Sequence, residues 1–143
     1  RYIPTGHILP VKKTPFDFTR SRFVGSRLHH PHSQLVWNRG YNHYYLSEEK
    51  DKMKKHRAAV LYDRRSGRYM ELYTTLPGVV VYTGNFLESV LPGKTGSPYV
   101  PYQGICLEAQ YPPDAPNHLH FPSCLITPDT PYDEYTEYRF HIR

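Results

Sequence analysis

The chain has 143 residues, which is enough for one domain with its own hydrophobic core. Its 14 prolines and nine glycines disfavour long helices and favour short strands joined by tight turns. A formal charge of +5 is compatible with an acidic partner such as RNA without requiring one, and no stretch approaches the roughly 18 apolar residues of a membrane-spanning helix.

The first 38 residues predict little regular structure. Prolines alternate with apolar residues through residues 1–18, which indicates extended chain lying on a sheet. Residues 21–38 repeat at neither the helical nor the strand period for long, so we predict a loop with one short helical turn.

Three histidines in this region, at positions 29, 30 and 32, are candidate metal ligands because imidazole suits zinc, copper and nickel. No Cys-x-x-Cys or His-Glu-x-x-His spacing accompanies them, so we predict no metal site. Neither a Gly-x-Ser-x-Gly motif nor a phosphate-binding glycine loop occurs, which leaves the serine hydrolase and nucleotide-binding classes unsupported.

Six or seven strands are predicted in the rest of the chain, each ended by Gly, Pro or Asp. The β-favouring segments are 41–47, 56–63, 68–75, 78–85, 104–110, 122–128 and 136–142. The letters RRSG at 64–67 indicate a hairpin, and the charged segment 48–57 is predicted to be a solvated loop rather than a phosphate-binding patch. Sequential strands with short turns predict an all-β fold, an antiparallel β-sandwich or part of one, in a single domain over 1–143.

Side-chain alternation assigns faces to two of these segments. Segment 78–85 is apolar on both faces and is predicted to be a central strand. In segment 104–110 the core face is predicted to hold Ile105, Leu107 and Ala109, and the polar face Cys106, Glu108 and Gln110. The two cysteines, Cys106 and Cys124, are too few for a disulfide framework, and we expect half-buried free thiols.

Glu108 is the strongest single candidate for chemistry. It lies on the polar face of a strand beside Gln110, and a loop with Asp114, Asn117 and two histidines follows it. A carboxylate in this position can act as general base on a hydroxyl while its neighbours bind a polyol. The alternative is an ordinary surface carboxylate.

Several longer segments resemble the C-terminal part of the aldose 1-epimerase family. They read YTGNFLESVLPGKTG (82–96), GICLEAQYPPDAPNHLHFP (104–122) and SCLITPDTPYDEYTEYRF (123–140). Shorter matches precede them in the family's order, among them GYNHYYL (40–46) and RSGRYMELYTTLPG (65–78). The resemblance implies a large antiparallel β-sandwich that interconverts the α and β anomers of a free aldose without metal or cofactor.

The resemblance also implies roles for individual residues. Glu108 matches the glutamate that takes the proton from the anomeric hydroxyl, whereas the family's catalytic histidine lies in an N-terminal half that no part of this chain matches. Asn42 stands where the family usually has a sugar-binding aspartate, and Val80 where it has a sugar-contacting glutamine. With Gln110 and Asn117, these are the predicted substrate-binding positions.

Two functions follow as hypotheses. The first is a degenerate, non-catalytic module that serves a larger assembly, with another protein chain covering the incomplete sandwich. The second is the C-terminal half of an active mutarotase for an aldose such as galactose or glucose, completed by an N-terminal half outside this chain. Both imply an intracellular location, cytoplasmic for an enzyme or mitochondrial for a complex subunit, and nucleic-acid contact rests on charge alone.

Overall fold

The computed structural model describes residues 3–49, 54–88 and 91–143, and its regular structure is mostly β. The elements in chain order are a 3₁₀ helix Val24–Arg27, α1 Ser33–Asn38, β1 Asn42–Leu46, β2 His56–Tyr62, β3 Arg68–Thr74, β4 Gly78–Tyr82, β5 Cys106–Gln110, a 3₁₀ helix Ala115–Asn117 and β6 Thr136–Ile142. The predicted all-β class is confirmed. None of the helices within the described ranges has the length and apolar character needed to cross a bilayer.

The strands form two three-stranded sheets, with orders β1-β4-β5 and β2-β3-β6. The central position predicted for segment 78–85 is confirmed, because β4 lies between two partners and Val79 is buried. In the second sheet β3 pairs antiparallel with both neighbours. Leu72, in the middle of β3, has no solvent-exposed surface.

Contacts divide the chain into two compact units. The first unit contains residues 1–4, 44–80 and 107–143, and the second unit contains residues 5–43 and 81–106. The predicted strands fall largely in the first unit, and both the longer 3₁₀ helix and α1 fall in the second.

The hydrophobic core of the second unit is built around Leu28, Leu35 and Tyr41, on which Phe16, Phe18, Val24 and Val81 pack. The Tyr41 hydroxyl donates to the carbonyl of Pro15 at 2.9 Å, so its polar end is satisfied inside the core. Asn85 is buried beside it and donates to the carbonyls of Asn38 and Tyr41, each at 2.8 Å. This amide ties the end of α1 to the start of β1.

The predicted hairpin at 64–67 is confirmed. The Asp63 carboxylate accepts hydrogen bonds from the backbone N–H groups of Arg65 and Ser66, which orders the turn. Gly67 has a φ of 70°, and a Cβ there would lie 2.5 Å from the carbonyl oxygen of Arg143. Only glycine satisfies both conditions without strain.

One predicted strand is wrong. Segment 122–128 forms no strand, and only an isolated bridge joins Thr127 to Thr130. Both backbone hydrogen bonds of that bridge close a tight turn, Thr127 N–H to Thr130 at 3.3 Å and the reverse at 3.1 Å. Pro122 and Pro128 lack the N–H groups that a sheet ladder needs, so the chain turns back on itself instead of joining a sheet.

The structure corrects the predictions for the first 38 residues and for one cysteine, and it describes the charged segment only in part. Residues 21–38 contain two helical elements rather than one turn, and residues 11–17 form successive turns rather than purely extended chain. Both thiols are free, but Cys106 is exposed, whereas Cys124 is half-buried as expected. The charged segment 48–57 is described only in part, because residues 50–53 lie outside the described ranges.

Candidate functional site

Glu108 lies at the centre of β5, and its side chain is exposed. The flanking Leu107 and Ala109 are half-buried, which confirms the predicted alternation around it. Among the described residues the carboxylate has no hydrogen-bond or ion-pair partner. It is therefore open to solvent and available to a ligand, but no neighbouring group orients it.

The backbone around Glu108 is held more firmly than its side chain. The Tyr138 hydroxyl donates to the carbonyl of Leu107 at 2.8 Å, and the Tyr44 hydroxyl donates to the carbonyl of Gln110 at 3.2 Å. Burial raises the pKa of the Tyr44 phenol, so it stays a neutral donor. These two bonds fix β5 on either side of the carboxylate.

The other predicted residues of the first unit point to a weakly developed site. Val80, on β4, is half-buried and presents only methyl groups. The amide of Gln110 donates to the carbonyl of Tyr111 at 3.3 Å, and the exposed Asn117 amide donates to the carboxylate of Asp114. Both amides are thus engaged within their own segments, and a sugar would compete with those bonds.

Asn42 belongs to the second unit, where it begins β1 and is half-buried. Its backbone N–H donates to Nδ1 of His43 at 2.9 Å, and its side-chain amide has no partner in the described part of the chain. The His43 ring packs 4.6 Å from that of Phe16. Burial, reinforced by the nearby His32, lowers the pKa of His43 to about 4, so the ring is neutral at pH 7.

A cavity of ≈ 620 Å³ in the first unit is lined by none of the predicted site residues. Along one wall, the hydroxyls of Thr75 and Tyr111 each donate to the Glu134 carboxylate at 2.6 Å. Burial and the bond to Glu134 raise the pKa of Tyr111 to about 12. On the same lining, Nε2 of His56 is buried without a hydrogen-bond partner among the described atoms.

Sequence reasoning missed this cavity because its residues come from six separated places in the sequence that carry no shared motif. A second cavity, of ≈ 290 Å³, lies in the second unit against α1. It is lined by His29 and His30, two of the histidines considered as metal ligands, and by none of the predicted substrate-binding residues. In the described ranges no three His, Cys, Asp or Glu side chains come together in a way that could hold a metal ion.

A protein-family model and curated relatives match nearly the whole chain. A model of the family described as aldose 1-epimerase matches residues 1–139. A galactose mutarotase from Homo sapiens is 40% identical over 140 residues, covering 98% of this chain and 39% of the human protein. An aldose 1-epimerase from Escherichia coli K12 is 34% identical, covering 96% of this chain and 40% of its own length.

Solved structures share the fold. A homologue of aldose epimerase from C. elegans superposes with a TM-score of 0.73 at 23% identity, covering 99% of this chain and 41% of its own. Galactose 1-epimerase from Lactobacillus acidophilus NCFM gives a TM-score of 0.68 at 22% identity, and the match covers 98% of this chain and 39% of that protein. The likeness confirms the predicted partial β-sandwich, and the chain spans about two fifths of the length of the relatives it matches.

Proposed function

Because the chain belongs to the aldose 1-epimerase family, we propose that it is a degenerate epimerase module, which retains the base-bearing strand but binds sugar too weakly for catalysis. In this proposal the module serves as a binding or structural subunit of a larger assembly. Val80 carries the proposal, since it occupies the middle strand of the sheet whose edge strand bears Glu108.

The chemistry at position 80 explains the expected loss of affinity. The resemblance implies a glutamine there whose amide pairs with a sugar hydroxyl, and valine leaves that hydroxyl without a partner. A polar group left unpaired on burial costs about 1–3 kcal/mol, which is roughly one to two orders of magnitude in affinity.

Asn42 adds a second loss. The family's aspartate would accept charge-assisted hydrogen bonds from sugar hydroxyls, and such bonds are about twice as strong as those made by a neutral amide oxygen. The free Asn42 side chain can still hydrogen-bond, so we expect weakened rather than abolished recognition.

Glu108 is the general base that would act if a sugar were bound. A base must come within about 2.6–3.2 Å of the proton that it removes. The exposed carboxylate meets the requirement of access, but no hydrogen-bond or ion-pair partner among the described residues holds it in one rotamer. Poor positioning of this kind lowers the rate even when the residue is retained.

The assembly role is supported by the apolar face of β6. Phe140 and Ile142 lie on one face of this edge strand and are 74% and 83% exposed. An edge strand with exposed apolar residues favours pairing with another polypeptide. The intracellular location and the nucleic-acid contact considered from the sequence stay predictions.

Polarimetry tests the proposal. The full-length natural protein that contains this chain is added to fresh α-galactose or α-glucose, and the rate of mutarotation is measured. We expect the wild type to leave the spontaneous rate of mutarotation unchanged. Where the natural protein also supplies the family's catalytic histidine, the double variant Val80→Gln with Asn42→Asp should accelerate it, and adding Glu108→Gln should remove that gain. Acceleration by the wild type that is lost in Glu108→Gln would overturn the degenerate reading.

That outcome would establish the second candidate, an active mutarotase of which this chain is the C-terminal part. Its specific support is the retained Glu108 on a firmly held strand, together with the 40% identity to galactose mutarotase from Homo sapiens. Its substrate would be an aldose such as galactose or glucose.

A further inference from the structure

The smaller cavity lies within the second unit, between α1 and the turn that carries Tyr102. Its volume of ≈ 290 Å³ is near the lower end of the range for small-molecule sites. Its polar lining consists of His29, His30, Arg39 and Tyr102, and no acidic residue of the described ranges lines it. The guanidinium and the two imidazoles can donate hydrogen bonds to a ligand, whereas the Tyr102 hydroxyl donates to the carbonyl of Arg39.

Arg39 and Tyr102 are held in place by each other's segments. Arg39 caps the end of α1 in the left-handed region, with a φ of 54°, and its N–H bonds to the carbonyls of Leu35 and Val36. Its own carbonyl accepts the Tyr102 hydroxyl at 2.6 Å. Tyr102 is also left-handed, with a φ of 68°, and its N–H donates to Gly84 at 3.0 Å.

The Arg39 side chain, which lines this cavity, has no carboxylate partner among the described residues. The Arg39 guanidinium lies 5.7 Å from the centroid of the Phe86 ring and forms no ion pair with any carboxylate in the described ranges. The His29 ring meets Tyr102 edge-on, with centroids 5.7 Å apart. A cation and imidazole donors therefore border one small cavity with an aromatic wall.

Charge is distributed unequally between the two units. The second unit contains seven Lys and Arg residues against only two acidic residues, Asp17 and Glu88, so it carries the whole formal charge of +5. Lys and Arg balance Asp and Glu in the first unit. The cavity thus lies in the part of the chain whose field attracts anions.

We propose that this cavity binds a phosphate group, either free phosphate or a phosphate monoester. A guanidinium matches the geometry of phosphate oxygens and can bind two of them at once. Imidazole N–H groups from His29 and His30 supply further donors. The apolar wall of Leu35 and Val36 leaves room for a small group attached to the phosphate. The proposal does not depend on sugar binding at Glu108.

Calorimetric titration of the full-length natural protein with inorganic phosphate and with glycerol phosphate tests this site. We expect saturable binding of one equivalent. Arg39→Asn should weaken it at least about tenfold, because it removes the guanidinium while asparagine tolerates the left-handed backbone. The control Arg20→Gln removes the same charge from an exposed position of the second unit outside the cavity and should change the affinity less than about twofold.

Each outcome decides the matter. Tighter binding of glycerol phosphate identifies a monoester as the ligand class, and equal binding identifies phosphate itself. Equal weakening by Arg39→Asn and Arg20→Gln would overturn the proposal in favour of diffuse attraction by net charge. The proposal would also be overturned if neither inorganic phosphate nor glycerol phosphate gave saturable binding, or if the protein bound RNA but neither of these two probes. Unchanged circular dichroism of Arg39→Asn shows that any loss of binding is local.

Discussion

His43 connects a single half-buried side chain to the pH dependence of the second unit. Its ring packs against Phe16, and its Nε2 atom is buried without a hydrogen-bond partner among the described residues. The pKa of about 4 in the folded chain lies below the ordinary value near 6.5. Between these values the unfolded chain binds more protons than the folded one, so stability falls as the pH falls.

We expect the free energy of unfolding to be constant above about pH 6.5 and to decrease by roughly 2–3 kcal/mol on acidification to pH 4. Urea denaturation at a series of pH values measures this dependence. His43→Leu should flatten the profile, because it keeps the apolar packing and removes the titrating group. The exposed His7→Gln is the matched control, and equal pH profiles for the wild type and His43→Leu would contradict the assignment.

The sequence predicted individual functional residues but not the side chains that surround them in the fold. Glu108 could be singled out because alternation in segment 104–110 places it on the polar face, as the structure confirms. The proximity of His29, Arg39 and Tyr102 could not be predicted. It depends on the left-handed backbone of Arg39 and Tyr102 and on the hydrogen bond between these two residues, which are 63 positions apart in the sequence. No local period encodes such a contact.

Local patterns predicted the strands and failed where the chain turns unusually. Alternation and the glycine at 67 predicted β2, β3 and their hairpin. The same rules wrongly extended to segment 122–128, where Pro122 and Pro128 remove the donors of a ladder. Helix α1 was underestimated because its six residues include Val36 and Trp37, which favour helix only weakly.

The β2–β3 hairpin depends on Gly67. Gly67→Ala forces a side chain into the left-handed region and places its Cβ 2.5 Å from the Arg143 carbonyl oxygen, so we expect a loss of about 1–2 kcal/mol in the free energy of unfolding. Gly25→Ala is the control, because no described atom outside its chain neighbours and its own helix lies within 4 Å of the added Cβ. Thermal or urea unfolding compares the two, and equal stabilities would show that the turn relaxes at no cost.

Across the whole molecule, the most exposed apolar strand surface belongs to the second sheet, whose two faces differ: one carries charged pairs and the other is apolar. On one face, Arg57 and His141 pair with Glu71, at 2.9 and 3.3 Å, as expected for a surface that water solvates. On the other face, Leu72 is fully buried, but the exposed fraction rises along β6 from 44% at Tyr138 to 83% at Ile142. The apolar face is thus only partly covered within this chain.

If another polypeptide segment covers β6 in the natural assembly, a charge at Phe140 must be desolvated there. We expect Phe140→Lys to lower the melting temperature of the purified assembly by several degrees and to release the covering segment in size-exclusion chromatography. The exposed Leu119, in a loop, is the matched control, and Leu119→Lys should change neither measurement. A chain that tolerates both substitutions equally well would show that the face of β6 stays in water, and the proposed partner would then have to bind elsewhere.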